Sequence, residues 1–191
     1  MEIMPKLPAG SVDLILTDPP YNVSRPSNLH TMGRRGIEIP WDGVFDQTGW
    51  LSEVERLLRP GGAAVIWNDW KNLGDIAREL GLLGLQVKRE LVWHKSNPMP
   101  RNTGRLPVQA REFALWAVKP RTNSKGDWTF NFEKTADMPY HRGEWYYPVQ
   151  RALNRTKKPD GLFAEIVRLF SNPGDLVLDP FSGCGTTATA C

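Results

Sequence analysis

The sequence holds only two cysteines, Cys184 and Cys191, in 191 residues. They are too few and too close for a disulfide framework, and no metal-type spacing accompanies them; a reducing compartment is the expectation. No run of about 18 apolar residues occurs, which excludes a hydrophobic membrane span. The opening stretch MEIMPKLPAG lacks a basic segment followed by an apolar one, so it does not read as a secretory signal. A cytoplasmic protein is therefore expected. Internal repeats are absent. What is present is an apolar fraction of 40%, enough for a real core and against global disorder. The length suits one α/β domain, or one with an inserted module.

Net charge is a modest +3, but it is unevenly spread. Residues 88–158 hold 15 Lys+Arg and 6 Asp+Glu, whereas the rest of the chain holds 9 and 15. A basic middle on an acidic body suggests a polyanion footprint, or simply a basic solvated loop.

Periodicity and apolar runs predict strands at 11–17, 63–68, 85–95 (bent midway) and 111–119, and a turn followed by a strand at 171–180. It predicts helices at 47–62, stopped by Pro60-Gly61-Gly62, at 72–83, and from Lys158-Pro159 onward. Residues 22–46, 96–110 and 120–157 show no period. Long loops of that kind in a compact domain are usually functional. Strands alternating with helices argue a parallel, doubly wound α/β sheet.

In such sheets ligands sit beyond the carboxyl ends of strands. Two strand ends carry chemistry. The first ends in Asp18-Pro19-Pro20-Tyr21, and the second runs through Asp179 into Gly183-x-Gly185. The Gly-x-Gly loop lacks the third glycine of a dinucleotide fingerprint and alone is weak. In isolation Asp18 reads as a turn-capping acid and Tyr21 as an aromatic at the core edge.

Together, TDPPYN and DPFSGCGTT resemble the two motifs of the S-adenosylmethionine-dependent DNA amino-methyltransferases, which modify adenine N6 or cytosine N4. The intervening stretches LVWHKSNPMP, REFALWAVK and TKKPDGLFAEIVRLFSNPGDLVLDPF are similar to the same family. The catalytic motif precedes the cofactor loop, as in the beta class. The resemblance implies a Rossmann-like methyltransferase sheet, mostly parallel, divided into a catalytic α/β part at 1–119, a target-recognition insert at 120–157, and a completing segment at 158–191.

The resemblance also implies roles. Asp18 and the Pro19 carbonyl would accept hydrogen bonds from an exocyclic amine, Pro20 would stiffen the turn without adding a donor, and Tyr21 would stack on a base turned out of the duplex. Neither cysteine is needed as a nucleophile. S-adenosylmethionine would lie against Asp179, Phe181, Ser182, Gly183, Gly185 and Thr186, with Thr156 and Lys158 beside it. Lys158 also reads as a plain surface lysine at a helix start. Double-stranded DNA would meet Arg25, His30, Arg34 and Arg35 on the loop after the catalytic turn, then Lys95, Arg101, Arg105, Lys125, Trp128 and Arg142 of the basic middle. Trp145, Tyr146 and Tyr147 interleave with the basic residues there as Trp128 does, and these aromatics also fit a packed subdomain with a basic skin.

Aspartate rather than serine at position 18 favours adenine N6 over cytosine N4. Methylation of RNA or of a protein glutamine is disfavoured, since such relatives show asparagine there. Restriction–modification is the implied setting, which allows a cognate endonuclease and a second copy of the chain as partners. The family usually carries an adenine-binding acid before the first motif and a ribose-binding acid after the second. The sequence shows neither, so it is expected to be truncated at both ends, to lack flank strands of the sheet, and to bind cofactor weakly. A catalytically inactive DNA-binding remnant is the competing expectation.

Overall fold

The structure is a computed structural model that describes residues 3–22, 44–100, 103–121, 126–150 and 157–191. Among the described residues six strands form one sheet: β1 (Val12–Thr17), β2 (Leu58–Asn68), β3 (Gln86–Lys95), β4 (Arg111–Val118), β5 (Glu144–Tyr147) and β6 (Val177–Leu178). Their order is β5-β3-β4-β2-β1-β6. β1 is parallel to β2 and β6, and β3 to β5, whereas β4 is antiparallel to both its neighbours. The expected parallel sheet is thus present with one reversed strand.

Among the described residues four α-helices complete the fold, α1 (Leu51–Leu57), α2 (Leu73–Leu82), α3 (Asp160–Phe170) and α4 (Thr186–Ala190), with one 3-10 turn at Met4–Lys6. Alternation along the strands sends side chains to opposite faces. Leu14, Leu16, Val65, Trp67, Trp93 and Trp116 pack with Leu162, Phe163, Ile166 and Phe170 of α3. Val12, Ile15, Ala64 and Ile66 pack with Leu51, Val54 and Leu57 of α1 and with Ile76 and Leu80 of α2. Apolar burial on both faces, at roughly 25 cal/mol per Å², is the main force holding these layers together. No helix among the described residues is long and apolar enough to cross a membrane.

This layering creates a crevice. The chain leaves β1 towards α1 on one face, while β6 leads into α4, which packs with α3 on the other. β1 and β6 are neighbours in the sheet. Their carboxyl ends therefore face a gap between diverging connections, the switch point at which open α/β sheets bind ligands.

Two local readings change. Pro60-Gly61-Gly62 does not end the first helix, which stops at Leu57 when Leu58 turns extended. The triplet forms a bulge inside β2: the register with β1 steps from Val12↔Leu58 to Leu14↔Ala63. Gly61 is left-handed (φ +86°), and a β-carbon on Gly62 would lie 2.9 Å from the Arg59 carbonyl and 3.0 Å from that of Asp13. The second change is β5, a strand inside the aperiodic segment 120–157. Four residues are too short for periodicity to register.

Gly161, in the first turn of α3, makes room for Tyr147. A β-carbon there would approach the tyrosine ring to 2.7 Å. Gly161→Ala should destabilise the protein by about 1–3 kcal/mol despite the better helix propensity of alanine, because overpacking outweighs propensity. Urea titration of the variant checks this; an unchanged midpoint would show that Tyr147 moves aside freely.

Candidate active site

β1 is buried to its last residue, with Thr17 fully inaccessible. Asp18-Pro19-Pro20-Tyr21 follows directly. Proline has no N–H, so this turn cannot satisfy its own carbonyls. Side-chain amides do it instead. Gln47 Nε2 donates to the Pro20 carbonyl (2.8 Å) and Asn72 Nδ2 to the Tyr21 carbonyl (2.8 Å). Asn68 connects them, donating to Gln47 (2.8 Å) and accepting from Asn72 (2.7 Å). Among the described residues nothing donates to the Pro19 carbonyl. The latch therefore fixes the turn through the Pro20 and Tyr21 carbonyls and, among the described residues, leaves the Pro19 carbonyl without a donor.

Asp18 sits at one end of an alternating chain of charges. Lys158 Nζ lies 2.5 Å from Asp18 Oδ2 and 3.1 Å from Glu112 Oε2, and Lys95 Nζ lies 2.6 Å from Glu112 Oε1. The Tyr21 hydroxyl donates to Asp18 Oδ1 and accepts from Lys158 at 3.0 Å. The Lys158 ammonium also rests over the rings of Tyr21 (5.2 Å) and Trp67 (5.8 Å).

These contacts separate the titrations. Burial raises the Asp18 carboxyl above its ordinary value, outweighing the single ammonium beside it. Burial also works to raise Glu112, but Lys158 and then Lys95 overcome it and hold the group below the ordinary range. Burial opposes the Lys158 charge, yet Asp18 and Glu112 together push its pKa up. Burial, followed by the Asp18 charge, keeps the Tyr21 phenol protonated. Two carboxylates share one lysine, and the one with the second lysine is the more acidic.

A depressed carboxyl stabilises the fold above its unfolded value, and that contribution fades as pH falls through the folded one. The stability gap between wild type and Glu112→Gln should therefore shrink as pH drops below 4.5, the ordinary glutamate value. Denaturant titrations at a series of acidic pH values check this; a gap that widens towards acid would contradict it.

The second strand end is tied to the first. Asp179 accepts from Thr17 Oγ1 (2.7 Å), from Thr187 Oγ1 (2.6 Å) and from the Phe181 amide (3.1 Å). One carboxylate thus joins the residue before Asp18 to the Gly-rich loop and to α4. Gly183 (φ +48°) and Gly185 (φ +77°) take left-handed conformations open to glycine. Ser182 and Gly183 are exposed, whereas Thr186 is buried. Phe181 packs edge-on against Phe45 (5.2 Å) and Trp50 (5.1 Å). Residues 182–185 form a ledge of small side chains after β6, beside the strand end that carries the Asp18–Tyr21 turn.

The other expected residues separate. Lys158 lies against the Asp18–Tyr21 turn, where 5% exposure rules out a plain surface lysine. Lys95, expected at DNA, is engaged with Glu112 inside the same cluster. Trp128 is half-buried with Lys88 on its face at 3.8 Å, and Trp145 is core. Burial, followed by its hydrogen bond to Glu165, pushes the Tyr147 phenol up to about 12. Arg105 and Arg142 are exposed. Tyr146 is exposed and stacks on His94 at 4.5 Å. Trp116, Phe130, Phe132, His141 and Trp145 make an aromatic cluster against α3, so most aromatics of 120–150 are packing elements. Arg25, His30, Arg34, Arg35, Arg101, Lys125 and Thr156 lie outside the described residues.

Glu112, Gln47, Asn68 and Asn72 were not singled out by sequence. Asn68 had a signal, a polar residue ending an apolar strand. Glu112 had a weaker one, an acid beside Arg111 at the head of the strand REFALWAV, directly before its apolar run.

Residues 12–191 match the DNA methylase family N6_N4_Mtase. The chain is 28% identical to the Type II methyltransferase M.HinfI of Haemophilus influenzae over 98% of its length, and spans 58% of that protein. It is 25% identical to the Type II methyltransferase M2.DpnII of Streptococcus pneumoniae, covering 97% of this chain and 75% of that one. The crystal structure of the M1.HpyAVI–SAM complex superposes with a TM-score of 0.75 at 35% identity, covering all of this chain and 83% of the other. The cytosine-N4-specific PvuII DNA methyltransferase shares the fold, with a TM-score of 0.71 at 17% identity. The latched Asp-Pro-Pro-Tyr turn and the glycine ledge tied to it by Asp179 are the parts this likeness spans, and the chain belongs to the N6/N4 DNA methylase family.

Proposed function

We propose that the protein transfers a methyl group from S-adenosylmethionine to the N6 amino group of adenine in double-stranded DNA, on a base turned out of the helix. The observation that carries this reading is the pair of acceptors at the crevice: the Asp18 carboxylate and the Pro19 carbonyl, the latter left open by the amide latch. An exocyclic amine is a poor nucleophile because its lone pair is delocalised into the ring. Two acceptors, one per N–H, draw the nitrogen towards tetrahedral geometry and free the lone pair. Tyr21 covers the ring, with stacking worth about 1–3 kcal/mol. Rate comes chiefly from holding the reactants in line.

The cofactor supplies a methyl on a sulfonium. Gly183 and Gly185, with nothing within 4 Å of a β-carbon at Gly185, leave the open space such a ligand needs. Asp179, Phe181, Ser182 and Thr186 border the ledge, and Asp179 orders it through its three hydrogen bonds. The M1.HpyAVI complex with SAM supports this ligand. DNA is assigned to the basic segment 120–157 and the loop 22–46, with exposed Arg105 and Arg142 as phosphate contacts and Trp128 and Tyr146 at the surface. The Type II methyltransferase relatives support a restriction–modification setting. The PvuII likeness supports a second reading, cytosine N4, against which stands the aspartate at position 18.

Labelled methyl incorporation from S-adenosylmethionine into unmethylated duplex DNA, RNA and protein tests this. Label in duplex DNA alone is expected. Label confined to RNA or protein, or none at all, would overturn it.

A further inference from the structure

We propose that Glu112 is a positioning residue: it takes over the Lys158 ammonium when Asp18 gives it up to receive the amino group of the target base. This rests on Asp18 being the amine acceptor.

The problem is visible in the geometry. Both Asp18 oxygens already have donors, Tyr21 Oη on Oδ1 and Lys158 Nζ on Oδ2. An incoming amine must displace one of them. Lys158 cannot retreat into water, since it is 5% exposed and covered by the rings of Tyr21 and Trp67. A buried ammonium stripped of its partner is strongly destabilising. A second carboxylate removes the difficulty. Glu112 Oε2 is 3.1 Å from the same nitrogen, so the exchange breaks one hydrogen bond and strengthens another without moving the backbone.

Glu112 is built to wait there. It lies on β4 opposite Trp93 of β3, and Lys95, two residues further along β3, holds its other oxygen at 2.6 Å. The charged and titratable groups facing Lys158 are Asp18 and Tyr21 from the turn after β1 and Glu112 from β4, with Lys95 behind Glu112. Lys158 and then Lys95 outweigh burial and favour the ionised Glu112, and Lys95 at its other oxygen leaves Oε2 to hold Lys158 in both states. The low carboxyl pKa of Glu112 and the raised one of Asp18 agree with this division. The sequence placed Lys95 at DNA and Lys158 at the cofactor; the structure gives them this joint task.

The first arm of the test needs no activity. Nitrogen-15 NMR of the lysine side chains, with Lys158 assigned by its absence in Lys158→Met, should show a charged, slowly exchanging Lys158 ammonium in wild type, in Asp18→Asn and in Glu112→Gln. It should be lost only in the double variant. Loss in Asp18→Asn alone would overturn the proposal, because Glu112 would then be unable to hold the cation. The second arm is kinetic. Glu112→Gln should lower kcat by about tenfold with little change in KM for the cofactor, Glu112→Asp should restore part of it, and in a Lys158→Met background the Gln change should cost nothing further. An equal cost in both backgrounds would show a merely structural glutamate. If wild type transfers no methyl to DNA, the function reading fails and the kinetic role with it, while the NMR arm still decides whether Glu112 holds the Lys158 ammonium without Asp18.

Discussion

Asp18→Asn is expected to lower methyl transfer by at least about 10²–10³-fold, the usual cost of removing one preorganised electrostatic partner of a reacting group. The substitution keeps shape and one carbonyl oxygen but removes the charge. The amide can also turn its NH₂ towards the amine, placing a donor where an acceptor is required. The fold should survive. Burial raises the Asp18 carboxyl, so the ionised group does not stabilise the native state at neutral pH, and Lys158 keeps Glu112 as partner. The melting temperature should therefore stay within about 4 °C of wild type, the equivalent of roughly 1 kcal/mol for a domain of this size. Single-turnover methylation and a thermal melt on the same preparation check both halves. Retained activity would remove Asp18 from the chemistry.

Asp179→Ala should act in the opposite way, through stability first. The carboxylate accepts three hydrogen bonds, and two of its donors, Thr17 and Thr187, are 0% and 3% exposed. Truncation leaves both hydroxyls without a charged acceptor in a buried setting, where water cannot fully replace it. A loss of about 3 kcal/mol follows, or roughly 6–12 °C in melting temperature. Activity should fall as well, because Thr17 precedes Asp18 and a shift of about 1 Å in a reacting group can cost on the order of 10²-fold. Asp179→Asn keeps an acceptor and should fall between. Calorimetric melts of the three proteins decide the matter: an alanine variant melting with wild type would mean that the two strand ends are held by something else.

Much of this was legible in the sequence. Apolar runs and Pro/Gly punctuation located β1, β2, β3, β4, α2 and α3 to within a few residues, since each buries a periodic face. The Asp18–Tyr21 turn and the Gly183–Gly185 loop were legible because both are local motifs. The reversed direction of β4 was not, because strand polarity depends on partners far along the chain. Nor was the bulge at Pro60–Gly62, which reads locally as a helix stop and is decided by register with β1. Glu112 and the amides of Gln47, Asn68 and Asn72 escaped for the same reason. Their roles exist only once β2 and β4 bring residues more than 20 positions apart around one turn. Trp145 shows the converse: an aromatic among basic residues suggested a ligand surface, while alternation along β5 sends its side chain to the core.

The most direct measurement is nucleoside mass spectrometry of DNA from cells expressing the protein's full open reading frame, beside cells expressing Asp18→Asn. The account predicts N6-methyladenine in the first and its absence in the second. N4-methylcytosine in place of N6-methyladenine, or N6-methyladenine undiminished in the Asp18→Asn cells, would contradict it.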